Sequence, residues 1–277
     1  MSDERIFTSQ PGGRLTEGDP VERPLLVADS WLVEDGRVRA IDKHRRRFFI
    51  SCADAGGLSV DQLKVFWQEA LAEIPRVGRW FPRVELCADT SAPLRLRIRP
   101  APAPATEVRV WIADVPDPRT APHRKGPDLA VLARLRERAA ERGAQEALLT
   151  APSGVVLEAA NSSVLWWEGA DLCVPSPTLA TLSGVTAGLI RERAQRLGVR
   201  VVPRREPPEH LGDCEVWLVN ALYGIRSVVE WPGSSLRPGA AVQAAQWRQW
   251  LAETAVPLPT FPASEAESSR QAEVPAG

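Results

Sequence analysis

The sequence predicts an α/β (α+β) protein of two domains. Three observations lead there. Short apolar runs with period-two alternation recur along the chain, and segments of helical apolar period fall between them. One proline-rich segment, PDPRTAPHRKGP over 116–127, separates two such sets. With 277 residues, 44% hydrophobic and 25% charged, the chain can bury one large core or two modest ones.

Residues 1–23, rich in Gly, Pro and charge, read as a flexible arm. PLLVADSWLVEDGRVRAIDKH alternates on both sides of Asp35-Gly36, a hairpin signal. Ser59 and Gln62 have capping-box spacing and open a helix in LSVDQLKVFWQEALAEI, whose apolar stripe is Leu63, Phe66, Trp67, Ala70, Leu71 and Ile74. RWFPRVELCAD, LRLRIRPAP and EVRVWIADV are further strands, completing a small α+β domain over 24–115. The prolines of the next segment forbid a continuous helix and make 116–124 the interdomain linker.

The second domain spans 125–256. Asp128 caps the helix DLAVLARLRERAAERG, which ends near Gly143. EALLTAPSGVVLEAANSSVLWWEG holds strands joined through Ser153-Gly154, and ADLCVPSP follows. TLSGVTAGLIRERAQRLG is a turn and a helix with Leu189, Ile190, Ala194 and Leu197 on one face. VRVVPRRE and CEVWLVNALYGIRSVVEW are strands, the latter interrupted at Asn220, and AAVQAAQWRQWLAETA is the last helix. Residues 257–277 have the composition of a disordered tail.

A net charge of −1 gives no electrostatic reason to expect a nucleic-acid or membrane partner. The N-terminus lacks a signal peptide's apolar core, and no run reaches membrane-spanning length. Four scattered cysteines without a CxxC pair suit free thiols in a reducing cytoplasm, with no metal site. No GxSxG, HExxH, Walker A or Rossmann fingerprint is present, which removes support from hydrolase, zinc-protease and nucleotide-motif readings.

Several residues admit two readings. The chain has three lysines, and arginine cannot replace one that must lose a proton and attack a carbonyl. Lys64 follows core Leu63 and points to solvent; Lys43 lies in DKHRRRF, a solvated basic turn or a phosphate-binding patch. Lys125, extended at the domain junction beside His123, is either a reactive amine or a surface side chain. Glu158 ends an apolar strand and is followed by nothing larger than Asn through Ser163, so it faces either solvent or a cavity. Gly184 and Thr186 open a helix that is either simply capped or a phosphate cradle. Asn220 is a strand-end turn or part of a site loop.

In their order, the HxxR element, the junction lysine, the strand ending in Glu, the SGVT helix start and the NAL loop resemble the class IV aminotransferase family. The resemblance covers roughly residues 25–235. It implies fold type IV and pyridoxal 5'-phosphate, a small-molecule amino substrate, and a homodimer. HRRRFFISC is similar to H-x-x-R-L-x-x-S-A, which implies that Arg47 binds the cofactor phosphate. Lys125 matches the Schiff-base lysine. GAQEALLTAPSGVVLEAANSSVLWW resembles GADEALLLDxDGxVxExxxSNLFW, so Glu158 matches the carboxylate on the pyridine nitrogen and Ser163 stands where the family has Asn, with Asn161 two places earlier. TLSGVTAGLI resembles L-P-G-[IV]-T-R and assigns Gly184, Val185 and Thr186 to the phosphate. VNALYGIRSVV resembles TNALRGVRPV, placing Asn220 and Ala221 beside the cofactor and Leu222 and Tyr223 on the substrate rim.

The chain departs from the family at GDGxFET, of which little remains, and at RGxGxRG, replaced by IRPAPAPATE. The usual Tyr five residues after the lysine is Ala130. The NAL form of the last loop resembles the 4-amino-4-deoxychorismate lyases, which release pyruvate to give 4-aminobenzoate for folate. The alternatives are a branched-chain or D-amino-acid transaminase and a non-catalytic cofactor-binding relative.

Overall fold

The computed structural model describes residues 4–10, 13–88 and 90–261. Strands β1 (Arg5–Ser9), β2 (Leu15–Glu17), β3 (Leu25–Ser30), β7 (Arg83–Cys87) and β8 (Leu94–Ile98) form an antiparallel sheet in the order β2-β1-β8-β7-β3. Helices α1 (Ile41–Ala55) and α2 (Val60–Glu73) share a core with it. Along β8, Leu94, Leu96 and Ile98 enter that core, so the period-two alternation puts Arg95, Arg97 and Arg99 on the opposite face. The capping box of α2 forms with both hydrogen bonds: the Ser59 side chain accepts from Gln62 N–H, and the Gln62 side chain accepts from Ser59 N–H.

The Asp35-Gly36 hairpin joins β4 (Val33–Glu34) to β5 (Arg37–Val38), with φ of 45° and 69° at the two turn residues. Positive φ at both positions is what a two-residue turn of this twist requires. These strands, β6 (Arg79–Trp80) and β17 (Val256–Pro257) make a separate four-stranded sheet.

The second sheet has eight strands. They are β9 (Glu107–Ile112), β10 (Glu146–Thr150), β11 (Val156–Ala159), β12 (Ser163–Glu168), β13 (Asp171–Pro175), β14 (Val201–Arg204), β15 (Glu215–Asn220) and β16 (Gly224–Glu230), in the order β11-β10-β9-β16-β15-β12-β13-β14. Helices α3 (Leu129–Glu141), α4 (Val185–Arg196) and α5 (Ala244–Glu253) pack against it. The unbroken apolar run in β12 follows from burial on both faces. Leu165 and Trp167 join Trp217 and Trp247 on one side, while Val164 and Trp166 pack with Val216 and Leu218 on the other.

The structure differs from the sequence expectations in five places. The arm expected over 1–23 contains β1 and β2, because the alternation in RIFTS continues the apolar face of the first sheet. The basic turn expected at 42–48 is the first half of α1, whose buried stripe is Ile41, His44, Phe48 and Cys52. Strand β9 belongs to the eight-stranded sheet, so the chain crosses between sheets over 99–106, at Pro100, Pro102 and Pro104, rather than at 116–124. Asp128 does not cap its own helix: its carboxylate accepts from Thr120 N–H, Thr120 Oγ1 and Ala121 N–H, pinning the loop before Lys125. Of the tail expected over 257–277, Pro257 pairs with β5 next to Val256 and Leu258 is buried; residues 262–277 lie outside the described residues.

Candidate active site

Between the five-stranded and eight-stranded sheets lies a cavity of about 510 Å³. All eleven residues singled out from the sequence line it: Arg47, Lys125, Glu158, Ser163, Gly184, Val185, Thr186, Asn220, Ala221, Leu222 and Tyr223. They arrive from α1, from the loop before α3, from β11 and β12, from the start of α4, and from the β15–β16 turn.

Lys125 is held by its backbone. Its carbonyl accepts a 2.7 Å hydrogen bond from Ala28 N–H on β3. Gly126 permits that approach: φ is +137°, and a Cβ there would stand 2.8 Å from the Val27 backbone. The side chain reaches the cavity with no carboxylate partner among the described residues. Burial, then the nearby positive charge of Arg47, pulls its pKa from 10.5 to about 8, against an opposing pull from Asp29. Roughly a tenth of such amines are neutral at pH 7, a condition for nucleophilic attack that an ordinary lysine does not meet.

Arg47 is set by a carboxylate that sequence reasoning missed. Its Nε and Nη2 donate to the two oxygens of Asp29, each at 2.8 Å, and its Nη1 donates to the Ser183 carbonyl at 3.1 Å. Asp29 is fully buried on β3 and also lies 2.8 Å from His44 Nδ1. Burial raises the Asp29 pKa, but Arg47 and His44 outweigh it and hold the carboxyl well below the usual range. Burial depresses the His44 pKa despite Asp29, which leaves a neutral ring able to donate from Nδ1. A charged residue between Ala28 and Ser30 in an apolar strand was the available signal for this clamp.

Ser183 leads into α4, whose start has no side-chain cap. The N–H groups of Val185 and Thr186 accordingly have no partner among the described residues, and both residues line the cavity together with Arg47. Such orphan donors at a helix N-terminus suit a phosphate. Gly184 packs closely there: a Cβ would come within 2.5 Å of Ser163 Oγ, so that hydroxyl would have to turn away.

On β11, Glu158 Oε1 accepts from Leu182 N–H at 3.0 Å and from Arg119 Nη1. Arg119 also binds Asp117 through Nε and Nη2. Burial raises the Glu158 pKa, with Arg119 opposing it. Oε2 has no partner among the described residues, leaving an acceptor for a ring N–H. Asn220 organises the remaining edge. Its Oδ1 accepts from Leu222 N–H at 3.1 Å and Tyr223 N–H at 2.8 Å, while Nδ2 donates to Asn161 O and Ser162 Oγ.

An uncapped helix start beside an arginine, an unpaired amine and a half-satisfied carboxylate therefore share one cavity. A family model for amino-transferase class IV matches residues 26–231. The chain belongs to the class IV aminotransferases. These are pyridoxal-phosphate-dependent enzymes acting on small amino compounds, and the donor set just described fits that cofactor. Among solved structures, a hypothetical aminotransferase from Mycobacterium tuberculosis in its PLP-bound form is similar at 20% identity and a TM-score of 0.74, covering 91% of this chain and 98% of that one. The branched-chain amino acid aminotransferase from Escherichia coli matches at 15% identity and a TM-score of 0.72, covering 90% and 92%. A candidate 4-amino-4-deoxychorismate lyase from Legionella pneumophila matches at 16% and 0.68, covering 82% and 90%. No curated protein matches the sequence. No helix among the described residues is long and apolar enough to cross a membrane.

Proposed function

We propose that this class IV enzyme is a 4-amino-4-deoxychorismate lyase, eliminating pyruvate to leave 4-aminobenzoate. The observation that carries a proton-transfer function is Lys125: an unpaired amine with a depressed pKa, in the same cavity as Arg47 and Glu158. When bound, pyridoxal phosphate supplies a carbonyl for the substrate amine and a ring that withdraws electrons from the adjoining carbon. Arg47 and the Val185 and Thr186 amides would bind its phosphate, and Glu158 Oε2 would keep a proton on the ring nitrogen. Lys125 would accept the proton whose loss makes the substrate ring aromatic, then return one to the departing enolpyruvyl group. The lean toward the lyase comes from the Asn220-Ala221-Leu222 loop, which the Asn220 side chain holds against the cavity.

The second reading is an amino-acid transaminase. It is favoured by the larger share of this chain that the two aminotransferases cover. Both readings carry the proposal of a cytoplasmic homodimer, supported by the family resemblance and, for the compartment, by four free cysteines.

The deciding assay offers 4-amino-4-deoxychorismate to the cofactor-loaded protein without an amino acceptor. Release of pyruvate and 4-aminobenzoate supports the lyase. Turnover of amino acids that requires an added 2-oxo acid supports the transaminase. A purified protein that develops no visible cofactor band on incubation with pyridoxal phosphate would refute both.

A further inference from the structure

Resting on the reading of the cavity as a cofactor site, we infer that Arg39 is a positioning residue that holds the Asn220–Tyr223 rim from the four-stranded sheet, and that residues 255–259 are a strap that holds Arg39. Arg39 follows β5 and reaches across to the β15–β16 turn, where its Nη2 donates to the Ala221 carbonyl at 3.0 Å. Within the turn, Asn220 braces Leu222 and Tyr223 through its own side chain. That bond shapes the turn; the Arg39 bond ties it to the other side of the cavity.

A guanidinium is an unfavourable choice for mere packing at this position. Arg39 is part-buried and has no ion pair among the described residues; Glu34, on the neighbouring strand, is paired to Arg79. Burial lowers the Arg39 pKa against the pull of Glu34. An apolar side chain would avoid that desolvation but could not hold the Ala221 carbonyl. Ala40, the next residue, has φ of 48° and ψ of 44°, left-handed backbone that an alanine adopts only under strain. This residue turns the chain from β5 directly into α1. Arg39, His44, Thr186 and Ala221 consequently meet around one void of about 10 Å³, behind the start of α4.

The strap begins at α5, which packs on the eight-stranded sheet through Trp247 and Leu251. Leu251 also backs the rim: a Cβ on Gly224, the residue after Tyr223, would stand 3.1 Å from its Cδ2. Past α5 the chain crosses to the four-stranded sheet. There Val256 pairs with Val38 and Pro257 with Arg37, Arg37 donates to the Ala255 carbonyl, and Leu258 enters the core of α1 and α2. Arg76 fastens the strap by donating to the Leu258 carbonyl at 2.7 Å and the Pro259 carbonyl at 3.1 Å. The contacts close a circuit from the rim through Arg39, β5, β17 and α5 back to the rim. Without β17, the two-residue strand β5 would be an edge held only by β4.

The test is amide hydrogen exchange read by mass spectrometry on peptides of the rim, the strap and β10, in the apoprotein and after loading with pyridoxal phosphate. Arg39→Met should speed exchange in the rim peptide by about 10-fold or more, the worth of a hydrogen bond to a charged group, and leave β10 unchanged. Arg39→Lys, which can still donate to Ala221, should recover part of the protection. Arg76→Met touches no rim residue and should speed exchange in the strap and the rim together. Where that variant does not fold, Arg37→Met, which removes the Ala255 bond, reads the same link. An unchanged rim in Arg39→Met would overturn the inference, as would a rise shared by every peptide or a lysine variant no better than methionine. A strap that loosens while the rim keeps its protection would overturn the strap's part. The apoprotein carries all these contacts, so failure to take up pyridoxal phosphate refutes the functional proposal, while the exchange data decide this one separately.

Discussion

Replacing Lys125 by methionine should stabilise the apoprotein at neutral pH. The folded-state amine titrates at about 8 and the unfolded one near 10.5. Below about pH 8 the folded chain must hold a proton in a buried, positively charged setting, and the full cost is present. Between 8 and 10.5 the unfolded chain binds more protons than the folded one, so stability rises with pH. The difference corresponds to about 3 kcal/mol at pH 7, falling below about 1 kcal/mol at pH 10. Methionine keeps the length and apolar stem of lysine without the charge. Urea denaturation of wild type and Lys125→Met, followed by tryptophan fluorescence at pH 7 and pH 10, isolates the effect, because other titrations cancel in the difference. The variant should be the more stable at pH 7 and the gap should close toward pH 10. A gap that stays constant with pH, or a variant less stable at pH 7, would show that the amine is not desolvated as described.

Three further outcomes follow from the same geometry. Arg47→Ala should weaken pyridoxal-phosphate binding by about 10- to 100-fold, measured by titrating the visible cofactor band, since it removes a charged donor from the phosphate end; unchanged affinity would take Arg47 out of the cradle. Gly126→Ala should cost about 2 kcal/mol or more, because φ of +137° and the Val27 backbone both oppose a Cβ, and it should lose cofactor incorporation with it. A thermal melt within 1–2 °C of wild type would contradict the close approach to β3. Arg119→Met strands Asp117 and Glu158, both nearly buried, and should destabilise the protein by about 3–5 kcal/mol in urea unfolding; a loss under about 1 kcal/mol would mean the pair is solvated.

What the sequence made legible depended on how local the cause was. Helix α2 could be read because its cap and its stripe lie within one stretch, and each residue points where its period says. Helix α1 hid its stripe: Ile41, His44, Phe48 and Cys52 have helical spacing, but Arg45, Arg46 and Arg47 crowd between them and a buried histidine does not look apolar. The residues that line the cavity were singled out through a motif order rather than through their own environments. Asp29 was missed because its partners, His44 and Arg47, lie fifteen and eighteen positions away, in an element that was itself misread. Arg119 was invisible for a similar reason, as Glu158 becomes its neighbour only when the eight-stranded sheet assembles. Arg99 meets the loop of Lys125 in the cavity only because the end of β8, where the crossover at 99–106 begins, lies beside that loop. No local pattern encodes that meeting.

Asp29 ties these features into one electrostatic design. Strand β3 donates its Ala28 N–H to Lys125 and, one residue on, presents the carboxylate that grips Arg47. A single strand of the small sheet therefore positions the Lys125 backbone and the Arg47 guanidinium together. Asp29 neutralises Arg47 enough for it to be buried, yet the summed field at Lys125 stays positive, with Arg83 and Arg99 adding to Arg47. That field attracts an anionic cofactor and, together with the burial that is the larger cause, lowers the pKa of the amine. Lysine is the one basic side chain that can use such a field, since arginine would hold its proton there. On the proposed function, that is the property required at position 125 of an arginine-rich chain with three lysines.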